Sequence, residues 1–284
     1  MKMRSGQLCT MLVFATIAIS CGGEEPQQSG GSGGSTGAGG SGTGGTAGGG
    51  SGSGGTTGGG TTGTGDFFPF ALGNSWEYDV TEVGQPSQKK VNKIVRMEAV
   101  GGTGPDKNKV AFRVETTKVM TPGSPPGDAT ISWQTREGAR VVRYREESCA
   151  VASVVVENGT VKSCNKNEDT TWSPARIRID ENPMGAALAK DMMWPETFTE
   201  TKTTFRTAGQ PGVTATMSLT QSWKVLDINA NATSPAGNFS GCLVLQKTSA
   251  SDLPKRYTFC RGVGKVREEG TGQVEVLSKY VVVK

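Results

Sequence analysis

The 284-residue chain contains no histidine. That absence excludes the Ser-His-Asp triad, the Cys-His pair, histidine general bases and every histidine-containing metal site. Aromatic residues make up only 6% and hydrophobic residues 34%, and no apolar run reaches the roughly 20 residues that a transmembrane helix needs. The scarcity is uneven. Of the 42 glycines, 23 lie between Gly22 and Gly65, whereas the 219 residues from Asp66 onward keep 18. The low averages reflect dilution by one segment, and residues 66–284 are long enough to bury a substantial core.

Lys2 and Arg4 precede the apolar stretch Cys9–Ile19, and Ser20-Cys21-Gly22-Gly23 follows. Residues 1–20 read as a signal peptide, with the small side chains of Ala18 and Ser20 placed for a signal peptidase. The segment Ala18-Ile19-Ser20-Cys21 resembles the lipobox of bacterial lipoproteins, which implies that Cys21 is diacylated and becomes the new N-terminus. Ala18 stands where that pattern usually has Leu, and ordinary cleavage after Ser20 is the alternative. Gly22 occupies the place where Asp would retain many lipoproteins in the inner membrane, so outer-membrane sorting is expected. From residue 21 to 65 the chain is mostly Gly, Ser and Thr and has nothing to bury, which predicts a disordered tether. Its mean reach is on the order of 35–40 Å.

After Asp66 the pattern changes. Trp76, Tyr78 and Val80 alternate with Ser75, Glu77 and Asp79, which predicts a strand with one face buried and one wet. The alternation recurs at Val91, Val95, Met97 and Ala99, at Val110, Phe112 and Val114, and at Ala129, Ile131 and Trp133, with turn-forming runs at 101–106 and 121–128 between. Val213, Ala215, Met217, Leu219, Trp223 and Val225 stand at spacing two over a length that implies a bent strand. Cys242–Gln246, Arg256–Cys260, Val263–Arg267 and Val274–Val283 complete the set, and only Met184–Met193 reads as a short helix. The expectation is an all-β or β-dominated α+β domain. It would be a single antiparallel sheet of about ten to twelve strands, curved into an open or half barrel, with at most one short helix. No second linker divides residues 66–284, so one exported domain is expected.

Cys149, Cys164, Cys242 and Cys260 remain after Cys21. An even number in an exported chain reads as two disulfides. Each of Cys149/Cys164 and Cys242/Cys260 flanks a hairpin-sized segment, which favours those pairings among the three possible; a zinc site would need closer spacing. The folded part carries 28 basic and 24 acidic side chains. In Arg176-Ile177-Arg178-Ile179 and Arg143-Tyr144-Arg145 the cations alternate with apolar residues, the pattern of a solvated sheet face. Nucleic-acid binding needs a concentrated basic patch, and the sequence presents none.

Candidate chemistry fails on geometry. Ser87 and Lys90, like Ser163 and Lys166, have a Ser-Lys spacing that works only on a helix, and both sit in turn and strand sequence. Adjacent acids at Glu146-Glu147, Asp180-Glu181 and Glu268-Glu269 would point to opposite strand faces, so a glycosidase-type pair would need one acid from each of two pairs to converge. Asp227-Ile228-Asn229-Ala230-Asn231 starts like a calcium loop, but Ala232 and Asn238 stand where Gly and a bidentate Glu belong. Trp76, Trp133 and Trp223 fall in register with core positions; a sugar or lipid groove lined by these and by Trp172 and Trp194 is the alternative. No catalytic, cofactor or metal site is expected.

Phe68-Pro69-Phe70-Ala71-Leu72-Gly73-Asn74-Ser75-Trp76-Glu77-Tyr78 resembles the opening of a group of uncharacterised, myxobacterial-type lipoproteins with a Phe-Pro, Gly-Asn, Trp-x-Tyr pattern. Phe259-Cys260-Arg261-Gly262-Val263-Gly264-Lys265-Val266-Arg267-Glu268-Glu269 resembles the group's closing motif, an aromatic followed by Gly-Val-Gly. Cys260 and Arg261 replace a small residue and a proline, which suggests a disulfide-bearing branch. The resemblance implies location and architecture and carries no activity; a further likeness to the half-barrel of periplasmic lipoprotein carriers is fold analogy. The functional expectation is a non-enzymatic envelope or binding module held at the outer membrane by a lipid anchor, with an envelope protein or an apolar ligand as partner. The alternative is a carrier holding a lipid or other apolar ligand in the curved sheet.

Overall fold

Spacing-two alternation runs through most of the chain from Ser75 to Val281, and the backbone follows it. The computed structural model describes residues 61–62, 65–119, 127–150, 153–207, 209–250 and 253–283; the signal peptide, Cys21 and most of the Gly-rich tether lie outside the described residues. The strands are β1 (Thr61–Thr62), β2 (Ser75–Glu82), β3 (Gln88–Ala99), β4 (Val110–Val119), β5 (Asp128–Glu137), β6 (Arg140–Cys149), β7 (Val155–Glu157) and β8 (Thr160–Ser163). They continue with β9 (Lys166–Asp180), β10 (Met193–Thr204), β11 (Val213–Ser234), β12 (Gly237–Ser249), β13 (Lys255–Cys260), β14 (Gly264–Gly270) and β15 (Gln273–Val281).

Strands β2–β6 and β9–β15 form one antiparallel sheet in the order β12-β11-β10-β9-β6-β5-β4-β3-β2-β15-β14-β13. Its ends then pair with each other, from Cys242 opposite Cys260 to Lys247 opposite Lys255. The expected β-dominated, curved antiparallel sheet is present, and the free edge of an open barrel is not: the β12–β13 hairpin consumes it, so twelve strands close into a ring. β9 and β10 pair over only part of their length, residues 168–173 with 199–204. β11 is longer than its apolar pattern suggested and accommodates its bend through register shifts against β12 between Val225 and Ala232.

The short helix expected over Met184–Met193 is reduced to one 3-10 turn, Pro183–Gly185. Positive φ angles at Met184, Gly185 and Asp191 interrupt any longer helix, and β10 starts at Met193.

One end of the barrel is closed by its own N-terminal approach. Phe67 is buried, and Phe68 and Phe70 pack against both inner clusters, which contain Trp76, Ile94, Trp194, Trp223, Leu245 and Phe259 among others. Here the two sequence motifs meet. Trp76 Nε1 donates to Val263 O at 2.6 Å, Phe68 stacks on Trp76 with centroids 5.3 Å apart, and Gly262 N donates to Asp66 O. Gly264 has φ +107°, and a Cβ there would lie 2.8 Å from Trp76 Nε1; only glycine fits that approach. Buried Asn74 ties the same joint, donating to Pro69 O and accepting from Val283 N. The motifs are therefore a structural joint that stops one end of the barrel.

On the outer face, the β7–β8 hairpin covers β4, β5 and β6. Val161 N donates to Glu115 Oε2 at 2.7 Å, and a separate apolar cluster contains Ala111, Ile131, Trp133, Val142, Tyr144 and Val161. Cys149 and Cys164 are bridged, pinning this hairpin to β6, and Cys242 and Cys260 are bridged across the strands that close the ring. With partners 15 and 18 positions apart in the sequence, each bond contributes about 3 kcal/mol in the chain-entropy view. Cys242→Ala/Cys260→Ala is expected to lower the unfolding free energy by about that amount in urea titrations. Peptide mapping without reduction is expected to recover the same two pairs.

Candidate functional site

Inside the ring, the end away from the aromatic stopper is lined by charge. Register settles which side chains share this face. On β2, β3 and β15, Tyr78 lies opposite Lys90 and Leu277, and Val80 opposite Gln88 and Glu275. On β13 and β14, Tyr257 lies opposite Glu268, which in turn lies opposite Glu275. The first group of charges is balanced. Glu275, 2% exposed, accepts from Lys90 at 2.6 Å, Lys265 at 2.7 Å and Gln273 at 2.8 Å, and Lys265 also reaches Glu268. Burial alone favours neutral Lys265, yet Glu268 and Glu275 hold its pKa above the ordinary lysine value. Lys90 is pulled down to about 8, first by burial and then by the Lys265 charge.

The second group is not balanced. Lys247 of β12 lies opposite Lys255 of β13, and Arg143 of β6 lies opposite Arg176 of β9; like charges directly opposite each other on a sheet are destabilising. Arg143 is paired with Glu146, although its Nε is buried with no hydrogen-bond partner among the described residues. Arg176, Arg178, Lys247 and Lys255 form no hydrogen bond or ion pair through their side chains among the described residues. Two of them meet aromatic rings. Arg176 lies 5.7 Å from the Trp172 ring centroid and 5.4 Å from Phe198, and Lys247 lies 5.8 Å from both Trp223 and Tyr257. Burial, followed by the charges of Arg176, Arg178 and Lys255, pushes Lys247 down to about 7 against the pull of Glu268. The four cations are thus electrostatic neighbours on β9, β12 and β13. Beside them a small cavity of about 60 Å³, lined by Lys255, Glu268, Gly270, Thr271, Gln273 and Glu275, shows that this end is not filled by side chains.

This arrangement corrects the assignment of Arg143-Tyr144-Arg145 and Arg176-Ile177-Arg178-Ile179 to a solvated face. Both faces of the sheet are covered there. Val142, Tyr144 and Ile177 turn to the outer cluster under the β7–β8 hairpin, whereas Val141 and Ile179 belong to the inner one. The register shift between Val141 and Val142 leaves Arg178 without an opposing residue on β6, and Arg143 and Arg176 fall on the inner face. Arg145 is nearly buried outside, paired with Asp169 and stacked 4.6 Å from Trp133.

At the β9–β10 seam, buried Glu196 replaces ladder hydrogen bonds. It accepts from Ile177 N at 2.5 Å and from Trp223 Nε1 at 2.8 Å, and also from Gln221. All five tryptophans are buried, so the core assignment of Trp76, Trp133 and Trp223 extends to Trp172 and Trp194. Ser87 donates to Val80 O while Lys90 turns to Glu275, so the first Ser-Lys spacing brings no pair together. Asp227 accepts from Asn229 N within β11, and no group of three metal-ligating side chains occurs among the described residues. Lys247 and Lys255 carry no motif in the sequence, although Lys247 continues the inward series Leu243, Leu245 of β12, a place where a lone lysine signals a polar interior.

No family model and no curated protein matches the chain. Among solved structures, it is similar to a Bacteroides fragilis protein described as exported and as having a YmcC-like fold, at 10% identity and a TM-score of 0.39, over 77% of this chain and 100% of that one. It is also similar to a Parabacteroides distasonis protein described as a lipoprotein, at 14% identity and a TM-score of 0.42, over 76% of this chain and 98% of the other.

Proposed function

We propose that the chain is a lipid-anchored protein of the bacterial outer membrane, held through Cys21 and the Gly-rich tether, and that its barrel is a non-catalytic binding module with its ligand site at the cationic end of the lumen. The observation that carries this reading is the set of four neighbouring cations, Arg176, Arg178, Lys247 and Lys255, none in an ion pair among the described residues, of which Arg176 and Lys247 meet aromatic rings. Unbalanced charge of this kind lowers stability, and sites that lower stability mark function. A carrier of a wholly apolar ligand has less support, because the apolar half of the lumen is filled by Phe67, Phe68, Phe70, Trp194 and Trp223. The motif resemblance to envelope lipoproteins fits the same location.

Two measurements test this. Intact-mass analysis of envelope fractions should find fatty acids on the mature N-terminus, and Cys21→Ser should move the protein to the soluble fraction. Native mass spectrometry of the full mature chain purified from its own envelope should show a bound small molecule that unfolding releases. An unmodified Cys21 contradicts the anchor, and a ligand-free protein contradicts the binding module.

A further inference from the structure

We infer that the cationic end of the barrel receives the dianionic phosphoryl headgroup of an amphiphile whose apolar part lies along β11; the inference rests on the binding-module reading and specifies its ligand. Two independent features of the lumen point the same way.

The first is the number and kind of unmet donors. Glu268 and Glu275 are already engaged by Lys265 and Lys90, so the four cations face the lumen with no carboxylate in ion-pair contact among the described residues and only the field of Glu268 to offset them. A monoanion would leave three of them opposed. A phosphoryl dianion carries twice the charge and three acceptor oxygens, and two neighbouring guanidinium forks are suited to that geometry. Arg176 and Arg178 offer those forks from two positions of β9 with Ile177 between them, and Lys247 and Lys255 add point charges from the β12–β13 hairpin.

The second is the strand that leaves the site. Trp223 and Gln221 are buried on the inner face of β11, and the same face continues outward through Leu219, Met217, Ala215 and Val213, opposite Phe198, Glu200, Lys202 and Thr204 of β10. Met217 is 54% and Val213 66% exposed. β12 ends opposite Gln221, so among the described residues no strand pairs with β11 on that side from residue 213 to 220. The other face of this ribbon is hydroxylic, with Thr197–Thr220, Thr201–Thr216 and Thr203–Thr214 pairs. On this face the β11 edge is therefore an apolar stripe beside the mixed residues of β10, and it starts at the cations and runs outward from Leu219 to Val213, six residue steps or roughly 20 Å. Charge at the inner end and apolar surface at the outer end match an amphiphile bound headgroup first.

The test is calorimetric titration of the full mature protein with four probes: dihexanoyl phosphatidic acid, dihexanoyl phosphatidylcholine, glycerol 3-phosphate and decanoate. Phosphatidic acid should bind at least tenfold more tightly than each of the others. Arg176→Gln/Arg178→Gln and Lys247→Gln should each weaken phosphatidic acid at least tenfold and leave phosphatidylcholine unchanged. Val213→Ser/Met217→Ser should weaken phosphatidic acid and leave glycerol 3-phosphate unchanged; unfolding midpoints at or above wild type for the charge variants establish that they fold. Equal binding of phosphatidic acid and phosphatidylcholine, tighter binding of decanoate, or indifference of phosphatidic acid to the arginine variants overturns the inference. Glycerol 3-phosphate binding as tightly as phosphatidic acid overturns the role of the stripe. If phosphatidic acid does not bind, the inference fails; the binding module stands in that case only if the purified protein retains a ligand that the Lys247→Gln protein lacks.

Discussion

Lys247→Met is expected to unfold at a higher temperature than the wild-type protein at pH 6. Methionine keeps the length and the contact with Trp223 and Tyr257 while removing a charge that lacks a counter-ion. Replacing buried charge by a hydrophobic residue of similar volume stabilises by about 1–4 kcal/mol where the charge is poorly compensated. At about 2–4 °C per kcal/mol for a domain of this size, the shift is readily seen by calorimetry. The charged groups around Lys247 are Arg176 and Arg178 of β9, Lys255 of β13 and Glu268 of β14, three of one sign beyond a single acid. Its folded pKa of about 7 lies below the unfolded lysine value of about 10.4, so the folded state binds fewer protons between those limits. The cost of the charge is therefore fully present below pH 7 and fades as pH rises toward 10. The gain from Lys247→Met should shrink accordingly between pH 6 and pH 9.5, whereas a gain of equal size at both would mean that packing, and not charge, is responsible.

Glu275→Leu should have the opposite sign and a larger size. Its carboxylate receives Lys90, Lys265 and Gln273, and its removal leaves two buried lysines sharing Glu268 alone. Breaking a buried pair by removing one partner costs about 3–5 kcal/mol, which denaturant unfolding at pH 7 would read as a lower midpoint at unchanged slope. The folded pKa of Glu275 is lowered despite its burial, because Lys265 and Lys90 face it. The stability it supplies is present above the unfolded glutamate value near 4.3 and is lost as pH falls through the folded one, so wild type and variant should converge in acid. Of two charge-to-apolar substitutions in one lumen, one stabilises and the other destabilises. Compensation at Glu275, and its lack at Lys247, separates them.

Much of the barrel was legible in the sequence, and the reason is the period of two. Trp76, Tyr78 and Val80 are each buried while Ser75, Glu77 and Asp79 between them are not, and the cysteines sit where hairpin geometry brings them together. Closure of the ring was not legible, because the β12–β13 pairing that removes the edge is an ordinary hairpin that an open sheet would also contain. The binding site was hidden for a related reason. Alternation of Arg with Ile is read as one wet and one dry face, but β6 and β9 are covered on both faces, and the register shift between Val141 and Val142 changes which residues point inward. The glycines and aromatics of the two motifs looked like identity marks. In the structure they secure the closed end, with Gly264 against Trp76 and Phe68 stacked above it.

The most direct test of an unbalanced cationic lumen is the titration of Lys247 itself. Carbon-13 NMR of lysine-labelled protein, with the signal assigned by its absence in Lys247→Met, should show a midpoint near pH 7 and an upward move when dihexanoyl phosphatidic acid fills the site. A midpoint in the ordinary lysine range, indifferent to that ligand, would contradict the account.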